Sequence, residues 1–365
     1  MQPASSESSR RLVALWLIAI CILLALMVVV GGATRLTNSG LSITEWRPVT
    51  GAIPPLNSEI WQAEFEKYMR TGQYQRVNRG MSLEEFKAIY WWEWGHRLLA
   101  RLIGIAFLLP MLWFLITRTL GRNLIRRLIM IFALGAAQAV VGWYMVQSGL
   151  ADRTEVSQYR LAGHLGLAFI IIGLTLWTAL DVLCPITQPA LKGLRVATPI
   201  LMASVFLQVI LGALVAGLRA GYRFNTWPLM EGEFVPRGAR ALSPIWRNFF
   251  ENPATAQFDH RVLAYLVFIG VLVAWLVWRS SAEKRTKRAL DAMLGLVSVQ
   301  FLLGIWALLA VVPIALGLLH QAGALLLFAS TVNLMHCVRS ERTRAPKPSA
   351  VRAPSVPIQS SDTGS

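Results

Sequence analysis

Apolar residues run along this chain in eight blocks of about 20, the length an α-helix needs to cross a hydrocarbon core. The blocks fall near 12–31, 94–117, 128–147, 161–180, 197–218, 258–278, 290–311 and 315–338, and they predict eight transmembrane helices. Arg10 and Arg11 precede the first block as they would in a signal peptide. That block outruns a signal core of about 7–15 residues and meets no small-residue cleavage site, so it counts as a span. The long segment after it is patterned too. Asn57 or Ser58 can cap a helix with Ile60, Trp61, Phe65, Tyr68 and Met69 on one side, and Ser82 with Glu85 has capping-box spacing. Short amphipathic helices at a membrane interface are expected there, with Trp91, Trp92 and Trp94 forming an aromatic belt where the second span begins. From Glu341 to Ser365 the chain turns to Pro, Ser and Arg, the composition of a disordered tail (341–365).

Composition agrees with a multi-pass membrane protein: 55% of residues are hydrophobic and 15% charged, too few charges for an ordinary soluble domain. Three cysteines, Cys21, Cys184 and Cys337, include no Cys-x-x-Cys pair, which argues against a disulfide framework or thiolate metal site. The net charge of +16 would suggest nucleic acid in a soluble protein. Eight spans put both termini on one side, and the segments there carry 18 Lys and Arg in about 75 residues, against 14 in about 115 across the membrane. The positive-inside bias therefore predicts cytoplasmic termini, and the basic excess belongs to orientation in the membrane. The basic clusters are short, flank spans and lack interleaved aromatics, so no nucleic-acid partner is expected.

The chain repeats itself. His96-Arg97-Leu98-Leu99-Ala100 resembles His260-Arg261-Val262-Leu263-Ala264, and Trp46-x-Pro48 resembles Trp227-Pro228, each followed by a Gly and then a Pro. The third and seventh spans share Gln-x3-Gly, as Gln138/Gly142 and Gln300/Gly304. The common order predicts an all-α membrane protein of two pseudo-symmetric four-helix bundles, residues 12–180 and 197–338, in the same orientation.

Four of the five histidines occupy equivalent places. His96, His164, His260 and His320 fall in the first turns of spans two, four, six and eight, all running the same way, so their imidazoles are expected at one depth. Paired within halves, His96 with His164 and His260 with His320, they can each ligate one iron from both faces of a porphyrin. Two histidines leave zinc short of ligands. An intramembrane histidine can also serve helix–helix hydrogen bonding. Gly163, Gly166, Gly317 and Gly323 flank two of the ligands and suit either a flat macrocycle or close helix packing. His336 has no counterpart and reads as structural.

The halves differ at one place that matters for chemistry. Glu93 lies three residues before His96, on the same helix face, and its counterpart before His260 is Gln257. A buried carboxylate is costly to keep charged, which suggests a reacting porphyrin in the N-terminal half and a permanent electron-transfer heme in the C-terminal half. A solvated interfacial glutamate is the plainer reading. Arg35, Arg97, Arg219 and Arg261 are candidates for porphyrin propionates, or for snorkelling to lipid headgroups.

With these residues in view, the chain resembles the heme A synthase family from about Arg10 to Cys337. The most specific pieces are Gly31-Gly32-Ala33-Thr34-Arg35-Leu36-Thr37 with Ser39-Gly40-Leu41-Ser42-Ile43-Thr44-Glu45-Trp46, and Trp92-Glu93-Trp94-Gly95-His96-Arg97-Leu98. The resemblance implies eight helices in two halves and the four histidines above as iron ligands. It further implies Glu93 as the functional acid, substrate heme O and product heme A in the N-terminal half, and heme b in the C-terminal half. The implied reaction oxidises a porphyrin methyl group to a formyl group in two steps with oxygen from water, for cytochrome oxidase biogenesis. Implied partners are heme O synthase upstream, the cytochrome oxidase assembly machinery, an unidentified electron acceptor and a second copy in a homo-oligomer; the implied location is the bacterial inner membrane. Outer-loop cysteine pairs of some bacterial members are absent, as in the branch shared by proteobacteria and mitochondria. A diheme cytochrome b that only carries electrons is the competing function. A transporter of parallel repeats would require helix breaks near the midplane, and Pro110 alone offers little support for that.

Overall fold

Eight helices long and apolar enough to cross a membrane make up most of the computed structural model, which describes residues 7–152, 154–183 and 191–339. The predicted tail (341–365) and Cys184 lie outside the described residues. In chain order the helices are α1 (Glu7–Leu36), the short α2 (Ser58–Met69) and α3 (Gly72–Arg76), α4 (Leu83–Ile116), α5 (Arg122–Asp152), α6 (Gln158–Leu183), α7 (Lys192–Gly217), the single turn α8 (Asn248–Glu251), α9 (Pro253–Trp278), α10 (Lys284–Leu309) and α11 (Ile314–Val338). No β-strand forms among the described residues.

Each long helix begins before its apolar block, and α4 and α9 start from capping side chains, Ser82 and Asn252. α4 shows this most clearly. Ser82 and Glu85 form the expected capping box, yet no separate interfacial helix follows; the helix continues unbroken through Trp91, Trp92 and His96 to Ile116. His96 therefore sits well along α4 and not in its first turn, whereas His164, His260 and His320 lie within two turns of their helix starts. Pro110 lies inside α4 without ending it, and Pro199 likewise lies inside α7, a second internal proline that already falls within the predicted span 197–218.

Helix α2 is capped by Asn57, whose side chain accepts from Ile60 N at 2.9 Å. It buries Trp61, Phe65 and Tyr68 against Phe86 and Tyr90 of α4, while Ile60 faces outward, one position off the expected face. Trp91 and Trp92 are exposed, as interfacial aromatics are; Trp94 packs edge-on against Trp91.

Helix α1 packs against α4, α6 and α11; α6 against α5 and α7; α7 against α9 and α11; and α10 against α9 and α11. A first apolar core, with Leu17, Ile20, Phe107, Met111, Leu128 and Ile171, lies among α1, α4, α5 and α6. A larger one, with Phe169, Val205, Val271, Met293 and Phe328, joins α7, α9, α10 and α11 to α6. At the end remote from α2, the carboxylate of Asp181 meets Arg127, Arg339 and the fully buried His336, whose Nε2 is 3.1 Å away. His336 thus ties α11 to α6, the structural part expected of it.

Candidate functional site

The four histidines share one construction: each imidazole lies against a glycine of the helix packed beside it. A methyl group at Gly31 would lie 3.1 Å from His96 Nε2, and one at Gly142, Gly212 or Gly304 would lie 3.0 or 3.1 Å from Cε1 of His164, His260 or His320. Any larger side chain would displace the ring. These four glycines differ from the ones expected to flank a macrocycle. Gly166, Gly317 and Gly323 face Ile210, Leu36 and Gln300, so they serve helix packing, and Gly163 alone of that set opens on free space.

A glutamine one turn before the glycine holds the histidine's backbone in three cases. Gln138, Gln208 and Gln300 each donate from Nε2 to the main-chain oxygen of His164, His260 and His320 at 2.9 Å, with the same amide 3.1–3.5 Å from a ring nitrogen. The motif in α7, Gln208-x3-Gly212, is as plain in the sequence as those in α5 and α10 but was missed there. Gly32 belongs to a different contact: Gln321 of α11 reaches over it and donates to Val28 O at 2.7 Å, joining α1 to α11.

The His260 and His320 rings lie edge to face, with centroids 6.4 Å apart and planes at 77°. His96 and His164 lie within electrostatic reach of each other. At this separation His260 and His320 could together hold one iron, which would supply one-electron redox chemistry. Among the described residues no three His, Cys, Asp or Glu side chains converge on one point, so these pairs suit an iron whose other ligands come from a macrocycle. The buried oxygens Gln138 Oε1, Gln208 Oε1 and Gln300 Oε1, and His164 Nδ1, have no hydrogen-bond partner among the described residues. A ligating imidazole carries its proton on the other nitrogen and usually gives it to an acceptor. With two imidazoles to a pair and no third protein ligand beside them among the described residues, the residues fit heme.

Glu93 is buried, 3% exposed, and both its oxygens are taken. Oε2 accepts from Ser42 N at 2.7 Å, Ser42 Oγ at 2.8 Å and Ile43 N at 2.9 Å; Oε1 accepts from Arg97 Nη2 at 2.6 Å and Nε at 3.1 Å. Arg97 in turn donates to the carbonyls of Ile43 and Glu45. Arg261 repeats this with Phe224 O, Thr226 O and Gln257 Oε1. Gln257 then donates from Nε2 to Ala220 O and Arg223 O. The loop presents donors to Glu93 and acceptors to Gln257, a difference in backbone that spacing does not reveal.

Arg35 and Arg219, at the ends of α1 and α7, converge on one carboxylate: Glu155 lies 3.0 Å from Arg35 Nη2 and 2.6 Å from Arg219 Nε. Arg97 spends its donors on Glu93 and on loop carbonyls, and Arg261 on Gln257 and loop carbonyls, with Arg261 Nε left without a partner among the described residues. Cys21 and Cys337 are partly buried.

The family described as cytochrome oxidase assembly protein matches residues 14–332. The chain is 54% identical to a protein of Parvibaculum lavamentivorans named Heme A synthase, over 91% of this chain and 95% of that one. Proteins of the same name from Nitrosospira multiformis and Azorhizobium caulinodans are 50% and 49% identical, over 90% and 93% of this chain and 94% and 97% of theirs.

Proposed function

The chain belongs to the cytochrome oxidase assembly protein family, and from that premise we propose that it is a heme A synthase, oxidising a methyl group of heme O to the formyl group of heme A. The observation that carries the reading is the set of four histidines, each seated on a glycine, in a chain about half identical to proteins of that name over nearly their whole length.

We assign heme b to His260 and His320, and substrate heme O to His96 and His164. When bound, heme b supplies one-electron redox chemistry, and electrons pass to an acceptor outside this chain. The halves are 12–180 and 197–338, related by a pseudo-twofold axis along the membrane normal. Matching neighbours support this: α1 with α4 and α6 corresponds to α7 with α9 and α11, and the α6–α7 contact corresponds to α11–α1. Cytoplasmic termini in a bacterial inner membrane follow from the Lys and Arg distribution, and put the histidine end outside.

Conversion of methyl to formyl with oxygen from water releases two electrons and two protons at each of two steps. Glu93 is the acid beside the substrate. A carboxylate has about four lone-pair sites, and the five contacts to Glu93 leave none aimed at a water. The geometry therefore supports a fixed negative charge that holds Arg97 and residues 42–45 in place beside the ligand helix, in preference to a proton acceptor. Arg35 and Arg219, already a two-armed carboxylate clamp on Glu155, are the favoured propionate contacts. Arg97 and Arg261 support the neighbouring loops. Heme O synthase is the proposed upstream donor, and the oxidase assembly machinery, with self-association of this chain, the proposed downstream setting. Coexpression with a source of heme O, followed by chromatography of extracted heme, tests the reading.

A further inference from the structure

Three of the four histidines have a glutamine one helical turn before their glycine, and the fourth does not. On α1 the residue four positions before Gly31 is Met27, on the same helix face as that glycine. A thioether has no hydrogen to donate, so the backbone and ring of His96 lack the amide grip that Gln138, Gln208 and Gln300 give to their histidines. The rings differ accordingly. His164, His260 and His320 all turn the Cε1 edge toward their glycine, at 3.0 or 3.1 Å, whereas His96 turns Nε2 and Cδ2, at 3.1 and 3.5 Å. Three gripped rings share one orientation, and the ungripped ring has another.

This asymmetry follows the division of labour between the two sites. A resident cofactor is held by two gripped imidazoles, His260 and His320. The substrate site has one gripped ligand, His164, and one without that grip, His96. A porphyrin that must arrive, react and leave needs one axial bond that opens easily, while the other keeps it in register. We propose that residue 27 sets the residence time of the heme in the N-terminal site, Met27 leaving His96 as the labile ligand through which substrate is loaded and product released. The proposal rests on the two-site reading above. Met27 is a positioning residue in this account and takes no part in the chemistry.

The test is heme release from the purified full-length protein carrying its native hemes, measured as transfer to an excess of a heme-scavenging apoprotein, with chromatography identifying which heme leaves. Partners of a metal-bound histidine typically change metal affinity about 10–100-fold. Met27→Gln is expected to slow loss of heme O and heme A by about 10-fold or more, and to leave heme b loss unchanged. Met27→Leu, which lacks both sulfur and amide, should release like the native protein. The reciprocal Gln208→Met should speed heme b loss by about 10-fold, and it carries the test alone if Met27→Gln does not fold. Native release rates in Met27→Gln or, where that variant does not fold, in Gln208→Met overturn the inference. So does a change in Met27→Leu as large as that in Met27→Gln, which would assign the effect to sulfur or volume. A native protein that retains no heme at all would instead overturn the two-site reading.

Discussion

His260 and His320 meet edge to face with 6.4 Å between ring centroids, from helices α9 and α11 that each pack against a different glycine-bearing neighbour. On the proposed reading an iron held between them would close the C-terminal bundle, and one held by His96 and His164 would close the N-terminal one. Ligand loss should therefore separate by half. His260→Ala or His320→Ala is expected to remove heme b, and His96→Ala or His164→Ala to impair mainly heme O and heme A binding. Chromatography of heme extracted from the purified variants checks this. Uniform loss of every heme from all four folded variants would contradict it.

The glycine seats give a finer version of the same expectation. Gly304→Ala places a methyl group 3.0 Å from Cε1 of His320, closer than packing allows without a shift of the ring. We expect heme b affinity to fall by about 10-fold while heme O binding in the other half stays native. Titration of heme-depleted protein, followed by absorbance, measures both.

Much of this site is legible in the sequence, because a histidine or glutamine is conspicuous in an apolar helix and a repeat makes it more so. Gln138 and Gln300 stood out because spans three and seven match each other. Gln208 did not, because its partner in the comparison of halves is Met27, and the one departure from the pattern concealed the pattern itself. The place of Glu93 on the ligand helix also followed from spacing. The direction of the hydrogen bonds it meets did not, since that depends on how residues 42–45, some 50 positions earlier, fold back onto α4. The roles of the arginines were open for the same reason: sequence gives charge and height, while the loop carbonyls that occupy Arg97 and Arg261 are contacts across distant segments.

Glu93→Gln tests that backbone difference. Gln257 shows that an amide fits where the loop offers carbonyls, but at position 93 the loop offers Ser42 N and Ile43 N. Whichever way the amide turns, its NH2 group meets the donors of Ser42 and Ile43 or those of Arg97, at a cost of about 1–3 kcal/mol for each buried donor left unpaired. The variant is expected to keep heme b and to lose most heme A formation, with a partly oxidised hydroxymethyl heme accumulating. Proteolysis within residues 37–47 should be faster than in the native protein. Normal heme A yield at matched protein level would remove Glu93 from the mechanism.

Orientation is checked independently of heme. In a background without native cysteines, single cysteines at Ser58 and Thr226 should react with an impermeant reagent from outside, and one at Ser281 should react only after the membrane is opened. Labelling of position 281 from outside would invert the assignment and move all four histidines to the cytoplasmic half.

The central claim is that this chain makes heme A and does not merely carry electrons through two hemes. The direct measurement is the heme content of membranes from cells supplied with heme O, with and without this protein, separated by chromatography. The account predicts heme A only when the protein is present, together with heme b retained on the purified protein. Two permanently bound hemes, with heme O left unconverted in the presence of an electron acceptor, would contradict it and identify an electron carrier instead.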